Sequence, residues 1–279
     1  MINSSLDSKI ETELVVKSST YESRILRIEP HLSYFSRIHH WPQNANEIDV
    51  FGPCWSLALF NFQNDEVCIK RRGQLISLNG YQAVFIPPFS VIDWRLKGGE
   101  IQFEGVISNH PVTGDLPNEP YLIKNKNLNK IPSSIAELFR LLKEAEFIVA
   151  VGKEEAPSAV ASKTKNYIDR HFDSELTMAD VAKSLRLNHS VMDRAFIKNY
   201  EMSPVEYRNK LRVLEAAHRM ILEPKSVTQT TFEVGFLGTN NFNKQFKKVM
   251  NVCPSKYSKL VSDKKLQKKL QKKLQKKLL

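Results

Sequence analysis

Residues 234–248 read VGFLGTNNFNKQFKK. On a helix, Asn240, Asn243, Lys244 and Lys247 recur at i, i+3, i+4 and i+7, so their amides and ammonium groups share one side, while Phe242, Phe246 and Val249 share another. Such polar groups break no bonds by themselves; they donate and accept hydrogen bonds. An asparagine amide can pair in bidentate fashion with adenine and a lysine can donate to guanine, each good pair giving about 1–3 kcal/mol of discrimination between bases. Thr239 opens the same face. Lys247 and Lys248 suit phosphate oxygens, which fix register and affinity without reading sequence.

A second face of this kind lies upstream. A helix from about His189 to Tyr200 turns Met192, Ala195, Phe196 and Tyr200 inward and presents Ser190, Asp193, Arg194 and Lys198. Arg194 suits guanine, Asp193 the amino group of cytosine, and Lys198 a phosphate. Ile197, also on the outer side, could meet a thymine methyl.

Both faces need elements that hold them. Thr177-Met178-Ala179-Asp180 has the form of a capping box and starts a short helix with Val181, Ala182 and Leu185 inside; Arg186-Leu187-Asn188 then turn into the second helix. Two short helices about a three-residue turn have helix–turn–helix proportions. Ser203-Pro204-Val205-Glu206 starts a long helix carrying Val205, Leu211, Val213, Leu214, Ala217 and Ile221. The outline then repeats: Ser226 to Val234, a turn at Gly235-Phe236, and the helix quoted first. Cys253-Pro254-Ser255-Lys256-Tyr257 echoes Ser203-Pro204-Val205-Glu206-Tyr207, so the segment is internally duplicated.

MADVAKSL, MSPVEYRNKLR, EVGF and FNKQFKK followed by CPSKY together resemble the DNA-binding domain of the AraC/XylS family of bacterial transcription regulators, over about Asn166 to Leu260. The resemblance implies two helix–turn–helix units joined by a long helix, placing two recognition helices in successive major-groove segments on one face of DNA. It also implies an N-terminal regulatory domain, cupin-like in many members, that binds a small effector or forms a homodimer, and an activator whose partner is RNA polymerase. The sequence departs from the family pattern where Arg186 and Glu201 stand at positions that favour glycine, with strain of about 1 kcal/mol or more if the backbone there has positive φ. It departs again at Thr230-Thr231, where the family tends to Ile-Ala and where packing of the second unit could loosen.

The charge distribution agrees with a polyanionic partner. Residues 1–155 hold 16 Lys+Arg against 19 Asp+Glu, and residues 156–279 hold 25 against 11, so the excess of the +11 chain is all in its C-terminal part. Cys54, Cys68 and Cys253 are too few and too scattered for a disulfide framework or a zinc set and fit a reducing cytoplasm. No export signal and no membrane span is expected. The tail DKKLQKKLQKKLQKKLL, with leucines every fourth residue, winds its apolar positions around the helix and is expected to be disordered or loosely attached to a polyanion.

The N-terminal half reads as many short strands: SLALFNF at 56–62, EVCIK at 66–70, QLISL at 74–78, AVFIP at 83–87, VIDWRL at 91–96 and EIQFEGVI at 100–107, broken by Gly, Pro and Asn. The expected fold class is two-domain α+β, an N-terminal β-barrel or jelly-roll (cupin-like) and a C-terminal all-α domain. The expected divisions are a cupin-like regulatory domain over 1–125, a helical dimerisation segment over 126–151 with Ile135, Leu138, Phe139 and Leu142 on one side, and a linker over 152–163. The two-unit DNA-binding domain follows over 164–262 and the tail over 263–279.

Trp55, Phe60, Phe62, Phe85, Trp94 and Phe103 are candidates for lining an effector cavity, with ordinary core as their other role. His31, His39, His40 and His110 have no metal-ligand spacing, and no cofactor is expected. No nucleophile–base pair or phosphate loop stands out, so no enzymatic activity is expected. Two rival readings remain: a cupin-type metal enzyme with an accessory basic domain, predicting bound metal and turnover, and an RNA- or membrane-associated protein, predicting that binding is lost with residues 263–279.

Overall fold

The computed structural model describes residues 12–17, 21–60, 62, 66–81, 83–110, 116–124, 131–153, 158–222 and 225–262. The lysine-leucine tail lies outside them. The N-terminal elements are β1 (Thr12–Lys17), β2 (Tyr21–Glu29), β3 (Leu32–Trp41), β4 (Ala45–Val50), β5 (Trp55–Leu59), β6 (Val67–Arg71), β7 (Gln74–Ser77), β8 (Ala83–Ile86), β9 (Val91–Leu96), β10 (Gly99–Ser108), β11 (Tyr121–Lys124), α1 (Ile135–Lys143) and β12 (Glu146–Ala150). The helical region contains α2 (Ala159–His171), α3 (Met178–Ser184), α4 (His189–Tyr200), α5 (Pro204–Leu222), α6 (Val227–Glu233), α7 (Thr239–Met250) and α8 (Pro254–Ser262). A β-rich domain thus precedes an all-α one, the expected class.

The strands do not close into a barrel. They form an eight-stranded sheet in the order β1-β2-β3-β10-β5-β8-β11-β12 and a four-stranded sheet in the order β4-β9-β6-β7. Every pairing is antiparallel, with register Phe35↔Gly105 between β3 and β10 and Leu57↔Phe85 between β5 and β8. Side chains alternate between two cores. Tyr34, Leu57, Phe85, Val106 and Ile123 meet Leu138, Leu141 and Leu142 of α1 on one face of the large sheet. Phe35, Ala58, Val84 and Leu122 meet Val67, Ile69 and Ile92 of the small sheet on the other. β5 and β8 are buried at every residue because layers cover both their faces, which is why AVFI is an unbroken apolar run and WSLAL is interrupted only by the buried Ser56.

Two expected boundaries are corrected. Segment 126–151 is not a free pairing helix: α1 lays its apolar stripe on its own sheet, and β12 then pairs with β11 from Tyr121↔Ala150 to Lys124↔Glu146. An apolar face at helical spacing does not say which surface it covers. The linker over 152–163 is also shorter than expected, because the Ser158 hydroxyl accepts from the Ala161 amide at 3.2 Å and starts α2.

Candidate nucleic-acid interface

The first unit is built as its sequence dictates. The Thr177 hydroxyl accepts from the Asp180 amide at 3.2 Å while the Asp180 carboxylate accepts from the Thr177 amide at 2.9 Å, closing the box that starts α3. Asn188 Oδ1 accepts from the amides of Ser190 at 3.0 Å and Val191 at 3.3 Å, which fixes the direction of α4. Met192, Phe196 and Tyr200 are buried, and Ser190, Arg194, Ile197 and Lys198 are exposed. Asp193 is half-buried, 3.7 Å from the His189 ring, and Arg194 Nε donates to the Ser190 carbonyl at 3.2 Å, so the guanidinium folds back along its own helix.

The second unit has the same plan with one residue more in its turn. Ser226 and Gln229 form the box of α6. Gly235 (φ 88) and buried Phe236 match Arg186 (φ 55) and Leu187, but Leu237 then intervenes and is pushed into solvent. Gly238 occupies the N-cap of α7 without a side chain to accept from it. Phe242 and Phe246 are fully buried, Thr239 is half-buried, and Asn240, Asn243, Lys244, Lys247 and Lys248 are exposed. The Lys248 ammonium reaches Glu206 Oε1 at 2.9 Å, which ties this expected phosphate contact to α5 in the DNA-free protein. Thr230 and Thr231 do not loosen the unit: both are fully buried, and their hydroxyls donate to the carbonyls of Ser226 at 3.1 Å and Val227 at 2.8 Å.

From α4 onward the two units correspond at a constant offset. Met192 matches Phe242, Phe196 matches Phe246, left-handed Glu201 (φ 55) matches Asn251 (φ 53), and buried Tyr207 matches buried Tyr257.

A family model described as a helix-turn-helix domain matches residues 181–260. Residues 181–260 form an AraC-type DNA-binding domain. The chain is similar to the uncharacterised HTH-type transcriptional regulator YdeC of Bacillus subtilis (strain 168), with 29% identity over 97 residues, 35% of this chain and 33% of that protein. It is similar to the uncharacterised HTH-type regulator YisR of the same organism, with 24% identity over 163 residues, 58% of this chain and 52% of that protein. The chain therefore spans about a third to a half of the length of the curated relatives it matches. Among solved structures, ToxT from Vibrio cholerae is similar at 12% identity with a TM-score of 0.49, over 83% of this chain and 99% of that one.

In the AraC-type domain α5 is the spindle. Tyr207 and Leu211 complete the core of the first unit; Val213, Ala216, Ala217 and Met220 complete that of the second. Val205, expected on the inner side, is instead exposed. At about 1.5 Å per residue, the 19 residues of α5 span roughly 28 Å, close to the ~34 Å repeat of the major groove.

Sequence reasoning missed Arg212. It is 5% exposed, and its guanidinium donates to the carbonyls of Phe172 at 2.5 Å and Ser174 at 2.6 Å while lying 5.4 Å from the Phe236 ring centre. It thus bolts the loop before α3 to the turn of the second unit. Burial first, and then the Arg208 charge, pull its pKa down to about 10, still well above neutrality. An arginine inside the apolar run of α5 was the one available signal.

The β domain leans on α5 and the ends of α4 and α7 and leaves the polar faces of those two helices open. Lys210 Nζ donates to the Ile48 carbonyl at 3.2 Å, and the Tyr21 hydroxyl donates to the Met250 carbonyl at the end of α7 at 2.6 Å. Lys153 bridges Asp93 at 3.1 Å and Glu201, at the end of α4, at 2.8 Å.

Cys54 lies 3.6 Å from His218, whose ring is 4.0 Å from Glu215, an arrangement that resembles a nucleophile and base. Burial, and secondarily Glu215, push the Cys54 thiol up to about 12, so it stays protonated and unreactive. Of the suggested cavity residues, Trp55 and Phe85 are core, Phe60 and Phe62 stack on each other, and Trp94 and Phe103 stand half-buried between the sheets. Among the described residues there is no cluster of three metal-ligating side chains and no helix long and apolar enough to cross a membrane.

Proposed function

We propose that the protein is a sequence-selective DNA-binding transcription regulator in which α4 and α7 enter successive major-groove segments, with the β domain as the effector-sensing part. The observation that carries this reading is the pair of matching open faces on one spindle. Ser190, Asp193 and Arg194 on α4 and Thr239, Asn240, Asn243 and Lys244 on α7 reach base edges; Lys198, Lys247 and Lys248 hold phosphates. For Lys248 this requires release from Glu206.

Positive control, with RNA polymerase as partner, is the direction of regulation we favour. Relatives named as a lactose operon transcription activator of Staphylococcus xylosus and the transcriptional activator RhaS of Salmonella support it. A second copy of this chain would have to pair through a surface other than the apolar stripe of α1, which its own sheet covers.

The test is fragment selection from random duplex DNA, followed by two variants. Lys244→Ala should relax preference at one base position, whereas Lys247→Ala should weaken all sequences alike and reduce the salt slope by about one. Identical behaviour of the two variants would contradict this division of α7.

A further inference from the structure

The apolar core between the two sheets reaches from β6 and β8 to β3 and β9. Beside its Phe35, Trp41, Ile92 and Trp94, β3 and β4 also carry Arg37, His39, Glu47 and Asp49 on the same side. The registers put them together: Ser23 lies opposite Arg37 on neighbouring strands, Glu47 opposite Trp94, and Asp49 opposite Ile92. Lys210, reaching in from α5, binds the Ile48 carbonyl beside them.

Two features distinguish this polar edge of the sandwich from ordinary core. First, opposite charges face each other without touching. Lys210 and Arg37 both act on the Asp49 carboxylate, and Lys210 acts on Glu47, yet among the described residues neither acid forms an ion pair with either base. Desolvation by the surrounding protein is the largest influence on both carboxyls and holds them above their ordinary range, although Asp49 itself is exposed on the edge strand β4.

Second, several buried polar atoms on these neighbouring strands have no hydrogen-bond partner. Ser23 Oγ, on a residue 1% exposed, Arg37 Nε, His39 Nδ1 and Trp94 Nε1 are buried and have no hydrogen-bond partner. The Trp94 indole leans toward Asp49 and lowers its carboxyl somewhat, short of hydrogen-bond geometry. Buried groups of this kind are ordinarily satisfied, so an unmet set on neighbouring strands marks a place for a ligand. His39 adds an apolar wall: its ring stacks on Trp41 at 5.5 Å and Phe103 at 5.8 Å.

We propose that this polar edge of the sandwich binds a small zwitterion of the α-amino acid class, its carboxylate on Arg37 and its ammonium between Glu47 and Asp49. A purely anionic molecule drawn to Arg37 would face two carboxylates, and a purely cationic one would face Arg37 and Lys210. A molecule with both charges a few bonds apart matches the charges on these strands, and its carboxylate can give Arg37 Nε the acceptor it lacks. The ligand's side chain lies against the Trp41–His39–Phe103 stack. The inference rests on the reading of the β domain as an effector module and names the class of effector.

The experiment is calorimetric titration and thermal melting of the full chain with the standard α-amino acids, each compared with its N-acetyl and α-amide derivatives. At least one free amino acid should bind saturably and raise the melting temperature, and capping either charge should weaken it roughly 10- to 100-fold. Arg37→Gln and Asp49→Asn should each reduce affinity by a similar factor. The capped ligands test the idea on the unaltered protein even if a variant fails to fold. Absence of binding at millimolar concentration, or equal binding of the capped forms, overturns the proposal. Selective DNA binding measured without ligand separates the two readings: if it persists while no amino acid binds, the site falls and the regulator stands. If an amino acid binds as described but leaves DNA affinity unchanged, the site stands and the effector role falls.

Discussion

The turns of the two units have opposite tolerances, and a reciprocal pair of substitutions measures this. Arg186 and Gly235 occupy the same left-handed position, with φ of 55 and 88. Arg186 is exposed, and a side chain there costs about 1–2 kcal/mol of backbone strain. Replacing it by glycine removes that strain but adds ~0.4–1 kcal/mol of unfolded-state freedom. Arg186→Gly should therefore stabilise by about 0.5–1 kcal/mol, raising the melting temperature by roughly 2 °C.

Gly235 differs because a Cβ built on it would stand 2.3 Å from the Asp173 carbonyl oxygen, 2.7 Å from its carbon and 2.9 Å from the Arg212 guanidinium. Two of those atoms are backbone, and the third is held by the Phe172 and Ser174 carbonyls, so nothing can swing aside. Overpacking of about 1–3 kcal/mol added to strain of about 1 kcal/mol puts Gly235→Ala near 3 kcal/mol of destabilisation, a fall of roughly 6–10 °C. Melting followed by far-UV circular dichroism reads both. A lower melting point for Arg186→Gly, or an unchanged one for Gly235→Ala, would refute the packing argument.

Three other outcomes are expected. Arg212→Leu leaves the Phe172 and Ser174 carbonyls without their buried donor and should cost about 2–4 kcal/mol in chemical denaturation, whereas a loss under about 0.5 kcal/mol would show that water replaces it. Asn188→Ala removes the cap of α4 and should cost about 1 kcal/mol, with faster amide exchange at Ser190 and Val191; unchanged exchange at those two amides would count against the cap. Glu47, raised to about 7 chiefly by burial, prefers its neutral form in the fold, so its contribution is present below its ordinary pKa of 4.5 and is lost as pH rises toward 7. His39, lowered to about 4 by burial, acts oppositely, its contribution being lost as pH falls from 6.5. Glu47→Gln should accordingly stabilise by about 1–2 kcal/mol near pH 8, after allowing for partial exposure, with the gain fading toward about pH 4.5; a gain independent of pH would contradict the sign.

The helix–turn–helix units were legible because their signals are local. The cap at Thr177 and the phenylalanines of α7 act within a few residues, and each lies where its spacing implies. The strain anticipated at Arg186 and Glu201 is present as left-handed backbone at both. What the sequence hid depends on distant partners. α1 has the stripe of a pairing helix, and only the sheet beneath it decides its use. Arg212 looks misplaced until carbonyls from another loop meet it. Arg37, Asp49 and Lys210 meet only once β3 and β4 lie in facing sheets and α5 docks beside them, and no spacing along the chain encodes that. Of the barrel and jelly-roll alternatives left open by many short strands, the structure takes two sheets, because strand periodicity carries no information about closure.

The most direct measurement of the central claim is selection of duplex fragments by the purified full chain, read together with protection of the selected site. Two short preferred motifs whose centres lie about one helical turn apart, roughly 10.5 base pairs, with both major-groove segments protected on one face, are predicted. Equal retention of every duplex, or a single protected segment that survives loss of the α7 side chains Asn240, Asn243 and Lys244, would contradict it.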